Sequence, residues 1–345
     1  MDLIATQEKA HHVSLDVVKE FEKAIMTDAR VRPIAPGNVL VSRAILRTFR
    51  ALNHGGHRRE ESFGLRAVPW NPVRNKRDTF AVLMSLDLTK LMPHFMFPGR
   101  KSLYLFDAWP DVHLKIRELV KRWDIRHVFV SSSMATERLN VILGSRTCSW
   151  VPEGINPEVY RFRSYAERDI DVIQIGRKYD MLHDVIVGPL EQQGKTYLYE
   201  KVKGTVVFPT RDEFIGGLSR SKVSLCFPSS LTHPDRSGDI ETLTSRYLQS
   251  MASKCLVVGH APREMITLFG YNPVVELDMQ SPVRHIMSIL KGYSDYVTLV
   301  ERNYRVVGES HTWHHRWLRI ADDLFPGAGV PASKKSSGDV ETRGH

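Results

Sequence analysis

Short apolar runs alternate with amphipathic helical patterns along most of the chain from residue 78 onward. Apolar runs of this length, bounded by turn residues, predict buried strands, and apolar residues at helical spacing predict the helices between them. The predicted strands are TFAVLMSL, KSLYLF, RHVFVSS, RTCSWVP, DVIQIG, KTYLYE, KVSLCFPSS, KCLVVGH and NPVVELD. Strands that alternate with helices are typical of parallel sheets, so the sequence predicts an α/β protein.

This alternation is interrupted near residues 152–168, where two prolines, a glycine and several charges predict an interdomain connection. We therefore expect one domain at residues 1–155, a second at residues 156–325 and a disordered tail at residues 326–345. Two such sheets joined by a short connector form a cleft, and in open α/β sheets ligands bind at the carboxyl ends of the strands. The functional residues are expected just after the strands.

The region before residue 78 fits the alternating pattern least well. NVLVSRAILRTFRAL, which follows the helix-starting APGN, predicts a helix, and residues 53–78 are polar and rich in Gly, His and Arg, which indicates a loop. No strand is predicted before APGNVLVSRAIL. The first domain is therefore expected to be divergent before about residue 78.

The composition shows an excess of basic residues, and the use of cysteine indicates a reducing compartment. The chain has 48 Lys and Arg against 39 Asp and Glu, a net charge of +9, which suits a nucleotide, a nucleic acid or peripheral contact with an anionic membrane. The three cysteines lie far apart in apolar runs, without metal or disulfide spacing, and are expected to be buried and free. No apolar leader and no run of about 18 apolar residues is present, so a cytoplasmic protein is expected.

The segment ETLTSRYLQSMAS, which begins at residue 241, predicts a helix with an unusual polar side. At 100° per residue its polar side chains fall within an arc of about 140°. They are Glu241, Thr242, Ser245, Arg246 and Gln249. A solvated helix face is one interpretation, but such faces usually contain Lys and Glu. Small hydroxyls with one acid, one amide and one arginine favour binding of hydroxyls and phosphates instead.

Two strand ends in the second half also suggest anion binding. The strand DVIQIG ends in Gly176, followed by Arg177 and Lys178, where glycine allows close approach of a ligand to the backbone and the cations can neutralise a diphosphate. Glycine after a strand is equally typical of a simple turn. The strand KVSLCFPSS ends near Ser229, in a small polar segment that leads toward the helix with Arg246.

In the first half, the strand KSLYLF is followed by Asp107 and Asp111. A carboxylate at a strand end in a cleft is a candidate general base that deprotonates a hydroxyl group. Asp111 has an alternative interpretation as the N-cap of the next helix, whereas Asp107 does not. Asp107 is therefore the first candidate for the base.

These motifs together resemble glycosyltransferases of the GT-B fold, in particular the group 1 enzymes and the related spore-maturation-type proteins. In that family a strand ending in Pro-Ser is followed by Glu, seven residues, Glu, Ala-Met-Ala and a Val-Val strand. Here CFPSS is followed by Glu241, seven residues, Gln249, SMASKC and LVVG. The second acid of the family is therefore an amide in this chain. The segment TLTSRYLQSMAS also resembles phage DNA β-glucosyltransferases, in which the position of Arg246 lies near the diphosphate.

The resemblance implies two Rossmann-like domains that face each other across a cleft, with a C-terminal helix crossing back. It further implies transfer of a sugar from a UDP-sugar or GDP-sugar to a hydroxyl acceptor, such as a glycan or lipid-linked glycan, without a required metal. Asp107 or Asp111 would be the base, Glu241 would bind the donor sugar and Gln249 the ribose. Alternatives are another enzyme on this scaffold, a noncatalytic nucleotide-sugar-binding protein and a DNA-modifying glycosyltransferase.

Overall fold

The computed structural model of the chain describes residues 1–6, 15–54, 77–84, 86–176, 178–202 and 205–327. Arg177, most of the predicted loop at residues 53–78 and nearly all of the predicted tail at residues 326–345 lie outside the described residues. The described chain forms two sheets in which all paired strands run parallel. The predicted α/β class with two parallel sheets is confirmed.

The first sheet has six strands in the order β2-β1-β3-β4-β5-β6. They are β1 (Asp2–Ile4), β2 (Arg32–Ile34), β3 (Thr79–Leu83), β4 (Lys101–Leu105), β5 (Ile125–Val130) and β6 (Cys148–Trp150). The helices of this half are α1 (Asp16–Met26), α2 (Val39–His54), α3 (His113–Trp123) and α4 (Ser133–Leu143). Each predicted strand and helix of the range 78–150 is present.

The prediction that no strand precedes APGNVLVSRAIL is wrong, because β1 and β2 both lie before it. Each is only three residues long, which is too short to show the period-two pattern of a strand. Pairing with neighbours defines them instead, since Ile4 of β1 lies opposite both Ile34 of β2 and Ala81 of β3. The first sheet therefore has two strands more than the sequence pattern predicts.

The second sheet has five strands in the order β11-β10-β9-β7-β8. They are β7 (Ile170–Ile173), β8 (Tyr197–Leu198), β9 (Ser221–Cys226), β10 (Leu256–Gly259) and β11 (Val275–Glu276). The helices are α5 (Asp180–Gln192), α6 (Arg211–Ser219), α7 (Ser229–Thr232), α8 (Pro234–Ser237), α9 (Ser245–Ala252), α10 (Arg263–Phe269), α11 (Pro282–Lys291), α12 (Val297–Ser310) and α13 (Trp313–Leu324). The strand order reverses between β7 and β9, which is the position where open α/β sheets bind ligands.

Helix α9 begins at Ser245, so the prediction of a helix starting at residue 241 is wrong for its first four residues. Residues 241–244 are extended because their polar groups bond to other segments. The Leu243 N–H and the Thr242 hydroxyl both donate to Glu264 Oε1, over 2.6 and 3.0 Å. Glu241 and Thr242 therefore do not belong to the helical arc that contains Arg246.

The C-terminal helix α13 crosses back to the first sheet, as the resemblance implies. Trp313 and Trp317 are buried in the same hydrophobic cluster as β1, β3 and α1. Trp313 stacks on Phe21 with ring centroids 4.5 Å apart, and the Trp317 indole N–H donates to Asp28 Oδ2 over 3.0 Å. None of the helices in the described ranges has the length and apolarity needed to span a membrane. All three cysteines are buried and free, as predicted.

Candidate active site between the two sheets

The segment of residues 228–241, which we call the bridge segment, spans the space between the carboxyl edges of the two sheets. It leaves β9 of the second sheet and inserts the fully buried Ile240 into the hydrophobic cluster of the first sheet. Two ion pairs hold it there, from Arg236 Nη2 to Asp107 Oδ2 over 2.9 Å and from Arg138 Nη2 to Asp239 Oδ2 over 2.7 Å. The two strand edges that the sequence assigns to chemistry therefore lie against one another.

At the carboxyl end of β7, the structure brings Gly176 and Arg246 together. The Arg246 guanidinium donates from Nη1 to the carbonyl oxygen of Ile175 over 3.1 Å. Gly176 has a φ of +75°, and a Cβ at this position would lie 3.1 Å from Arg246 Nη1. The left-handed backbone therefore favours glycine, and a larger side chain would also crowd the guanidinium. The two residues belong to separate elements of the sequence, and the fold places the Arg246 guanidinium against the backbone at Gly176. We call this the cationic site.

The N terminus of α9 adjoins this cationic site and contacts a buried carboxylate. The backbone N–H of Ser245, the first residue of α9, donates to Glu153 Oε2 over 2.6 Å. Thr244, the N-cap residue, provides no side-chain hydrogen bond to the helix. Glu153 comes from the connector after β6 and is only 7% exposed. A carboxylate from the connector thus accepts one of the free N–H groups that an anion would otherwise bind.

Burial raises the pKa of Glu153 to about 8, because removal from water penalises the charged form. The Ser245 N–H and the Arg246 guanidinium lower this pKa, whereas the neighbouring carboxylates of Asp107 and Glu264 raise it further. Glu153 therefore lies within electrostatic range of the candidate base of the first sheet and of the arginine of the second.

Glu264, in the first turn of α10, is a second buried carboxylate between the sheets. Its Oε2 accepts a hydrogen bond from the Ser133 N–H, at the start of α4, over 2.8 Å. Its Oε1 accepts from Thr242 and Leu243 of the second half. Burial raises the pKa of Glu264, while its hydrogen bonds act in the opposite direction. This carboxylate joins one helix from each half.

Two candidate residues of the segment before α9, Glu241 and Thr242, differ in their surroundings. The Glu241 side chain is 24% exposed, and its Oε1 lies 3.7 Å from His260 Nε2. The other ring nitrogen of His260, Nδ1, lies 3.0 Å from Glu276 Oε2. Thr242 is buried, and its hydroxyl donates to Glu264. Glu241 is thus accessible to a ligand, while Thr242 holds the extended segment in place.

The remaining second-half candidates lie on separate elements. Gln249 is 7% exposed and lies near Tyr160 of the connector. Burial raises the pKa of the Tyr160 phenol, whereas a hydrogen bond with the Gln249 side chain lowers it. Ser229 is half-buried at the start of α7. Lys178 places its Nζ 5.4 Å from the ring centroid of Tyr199. Arg177 lies outside the described residues.

The two aspartates of the first half also differ. Asp107 follows β4 at the sheet edge, with its side chain 28% exposed and paired with Arg236. Asp111 is exposed in a short 3-10 turn, Pro110–Val112, and the residue preceding α3 is Val112, with no side-chain cap. The alternative of Asp111 as an N-cap is therefore wrong. Asp107 is the aspartate that faces the second half.

Several solved structures share this arrangement of two facing sheets. The sucrose-phosphate synthase of Thermosynechococcus elongatus has a TM-score of 0.59 at 10% identity, with 94% of this chain and 97% of that chain covered. The Anabaena protein HepE in complex with UDP and glucose has a TM-score of 0.52 at 10% identity, covering 94% and 99%. The protein has the GT-B fold.

A third structure, TarM, has a TM-score of 0.50 at 10% identity and covers 72% of this chain. The match spans 55% of TarM, so this chain corresponds to about half the length of that protein. Neither a known protein-family profile nor a curated protein sequence matches the chain. At these identities the likeness to solved structures is a likeness of fold.

Within the GT-B fold, sequence reasoning missed three residues of the interface between the sheets, Glu153, Glu264 and Arg236. Glu153 is visible in the sequence as an acid directly between a strand end and the glycine of VPEGI, and Glu264 as an acid in the first turn after LVVGHAP. Neither position indicates burial, because the groups that each contacts are distant along the chain. Among the residues that the structure describes, no group of three His, Cys, Asp or Glu side chains is placed to hold a metal ion.

Proposed function

We propose that the protein is a glycosyltransferase that transfers a sugar from a nucleotide diphosphate sugar to a hydroxyl acceptor. The observation that supports this most is the convergence of the Arg246 guanidinium, the positive-φ Gly176 and the N terminus of α9 at the switch point between β7 and β9. A guanidinium, an accessible backbone and free helix N–H groups are the groups that bind a diphosphate.

The proposed donor contacts follow from this site. Arg246, Lys178 and Arg177 would meet the charge that develops on the diphosphate leaving group, so that no metal is required. Gln249 would bind the ribose, and Glu241 the hydroxyls of the donor sugar. UDP is the first donor to test, because HepE, which shares the fold, was solved in complex with UDP and glucose; GDP is the second.

On the acceptor side, Asp107 is the proposed general base, and Asp111 is the alternative. Asp107 lies at the carboxyl edge of the first sheet and is oriented by Arg236 from the second half. A carboxylate in this place can remove the proton of an acceptor hydroxyl as the new glycosidic bond forms. We propose a glycan or lipid-linked glycan of the cell envelope as acceptor, in the cytoplasm or at the inner face of the membrane, and membership in the group 1 or spore-maturation-type enzymes.

A thermal-shift screen with UDP, GDP, ADP and TDP tests the donor site. A nucleotide at 100 times its Kd stabilises the folded protein by about 2.7 kcal/mol, so one of the four is expected to raise the Tm. Arg246→Ala should remove most of this shift. Arg220→Ala is the matched control, since Arg220, just before β9, pairs with Asp169, just before β7, on the opposite edge of the sheet. Unchanged Tm values with all four nucleotides would contradict the proposed function.

A noncatalytic nucleotide-sugar-binding protein is the second candidate. It is favoured by the amide Gln249 in place of the acid of the resemblance motif and by the ion pair between Asp107 and Arg236. The two candidates are separated by incubating the protein with a donor that gives a Tm shift. Transfer of the sugar to an added acceptor supports the enzyme, whereas donor binding without transfer or sugar release supports the binding protein.

A further inference from the structure

Glu153 occupies the place in which we locate the donor phosphates. Its Oε2 accepts the Ser245 N–H over 2.6 Å, and its carboxylate is within electrostatic range of Arg246. These are the same helix N terminus and the same guanidinium that the proposed donor site uses. Two anions cannot both occupy this position in a buried site without a large electrostatic cost, because low-dielectric surroundings strengthen their repulsion.

We propose that the charged form of Glu153 and the donor diphosphate compete for the N terminus of α9 and for Arg246, and that at mildly alkaline pH donor binding places a proton on the Glu153 carboxylate. The proton comes from the solvent, and no bond other than the carboxyl O–H is formed. A neutral carboxyl group no longer repels the phosphates and becomes able to donate a hydrogen bond to one of them. This inference rests on the proposed function, since it requires a nucleotide diphosphate in the site.

The ionisable groups around Glu153 lie on several elements and include two acids, which favour its protonation, and two arginines, which oppose it. The ionisable neighbours are Asp107 after β4, Tyr104 within β4, Arg246 on α9, Glu264 on α10 and Arg316 on α13. The two acidic neighbours already disfavour a charged Glu153, and burial raises its pKa to about 8. Arg246 opposes them, and a bound diphosphate would neutralise that arginine. Protonation at mildly alkaline pH therefore requires only a moderate further rise in this pKa.

The inference is tested by titrating the full-length protein with UDP in a calorimeter at pH 8.5, in two buffers of different ionisation enthalpy. At this pH the phosphates of UDP are already deprotonated, so their own titration contributes little to the proton uptake. The wild-type protein is expected to take up a large fraction of one proton per UDP. Its Kd should rise by up to about tenfold per pH unit above pH 8.

Glu153→Gln removes the titrating group and keeps an oxygen that can accept the Ser245 N–H. This variant is expected to bind UDP without proton uptake, more tightly than the wild type at pH 8.5, and with a Kd that does not change with pH. Glu158→Gln is the matched control, because Glu158 lies in the same connector, is exposed and gives the same change in charge. It should retain the proton uptake of the wild type.

The possible results separate this inference from the proposed function. If UDP binds but the observed enthalpy is the same in both buffers, the inference is wrong and the donor site stands. If proton uptake persists in Glu153→Gln, the proton belongs to another group and the inference is also wrong. If no nucleotide binds at any pH, the proposed function fails and the inference fails with it. Should Glu153→Gln not fold, the buffer comparison on the wild type can still contradict the inference, and the dependence of the wild-type Kd on pH provides the second test.

Discussion

The carboxyl edges of the two sheets present opposite charges. The first sheet has Asp107 after β4, whereas the second has Lys178 after β7 and Arg246 beside it on α9. The proposed donor site lies at the switch point of the second sheet, between β7 and β9, as expected for an open α/β sheet. Asp107 follows β4, away from the switch point of the first sheet between β1 and β3. The candidate residues therefore lie at the switch point in the second sheet but away from it in the first sheet.

The difference lies in where the partners of each site come from. On the second sheet, a strand end and a helix of the same half form the cationic site. On the first sheet, the candidate base is held by Arg236 of the bridge segment, which belongs to the second half. Changes at the first edge should therefore alter turnover without altering donor binding, and changes at the second edge should alter both.

The largest expected effect is that of Asp107→Asn, which keeps the shape of the side chain and removes the base. Turnover should fall by about 100- to 10,000-fold, the usual contribution of general base catalysis, while UDP still binds and raises the Tm. Steady-state assays of sugar transfer measure it. Asp239→Asn, an exposed aspartate of the bridge segment, is the charge-matched control. A similar loss in Asp111→Asn, but not in Asp107→Asn, would assign the base to Asp111.

Arg246→Ala should have the next largest effect and should differ in kind. Loss of one directed donor to developing charge lowers kcat by about 100- to 1,000-fold, and here UDP affinity should fall as well. Comparing kcat and the UDP Kd with those of Arg220→Ala separates the effect of losing an arginine at this position from the effect of losing one positive charge. Turnover equal to that of the wild type would show that Arg246 is not part of the donor site. It would also contradict the expectation that changes at the second edge alter both turnover and donor binding.

Glu264→Ala examines how the two edges are held together. The substitution leaves the Ser133 and Leu243 N–H groups and the Thr242 hydroxyl without their acceptor. Unsatisfied buried donors are costly, so the free energy of unfolding should fall by about 2 to 3 kcal/mol in urea denaturation. Glu301→Ala is the control, because Glu301 makes an ion pair with Lys254 at the surface and should change stability by less than about 1 kcal/mol.

The smallest effect, per pH unit, is the pH dependence of stability that Glu153 contributes. Its pKa rises from the ordinary 4.5 to about 8 on folding, so between these values the folded protein binds more protons than the unfolded chain. Stability should therefore decrease as pH rises through this window, by up to about 1.4 kcal/mol per pH unit from this group. Thermal unfolding of Glu153→Gln between pH 5 and 8 should lack this decrease. A parallel pH profile in wild type and variant would contradict a buried, titrating Glu153.

Much of the fold could be predicted from local pattern, and the exceptions have a common cause. The strands from residue 78 to residue 277 all overlap predicted strand segments, because apolar runs mark them even where the strand itself has only two or three residues, whereas the short helices α7 and α8 were not predicted. Strands β1 and β2, with three residues each, were missed because only their pairing with neighbours defines them. The start of α9 was misplaced because Glu264, a residue beyond the next strand, accepts the hydrogen bonds of the segment before it.

The sequence by itself determined that the chain forms two parallel α/β sheets, that its cysteines are buried and that Gly176, Arg246 and Asp107 lie near strand ends or a helix in the region of a cleft. Only the tertiary structure decided which of these groups meet. Glu153 and Ser245 are 92 residues apart, and Glu264 and Ser133 are 131 apart, yet each pair is hydrogen-bonded. Periodicity reports which face of an element is buried, but the partner of a buried charge depends on how distant elements pack. That is why the two carboxylates between the sheets became visible only in the folded protein.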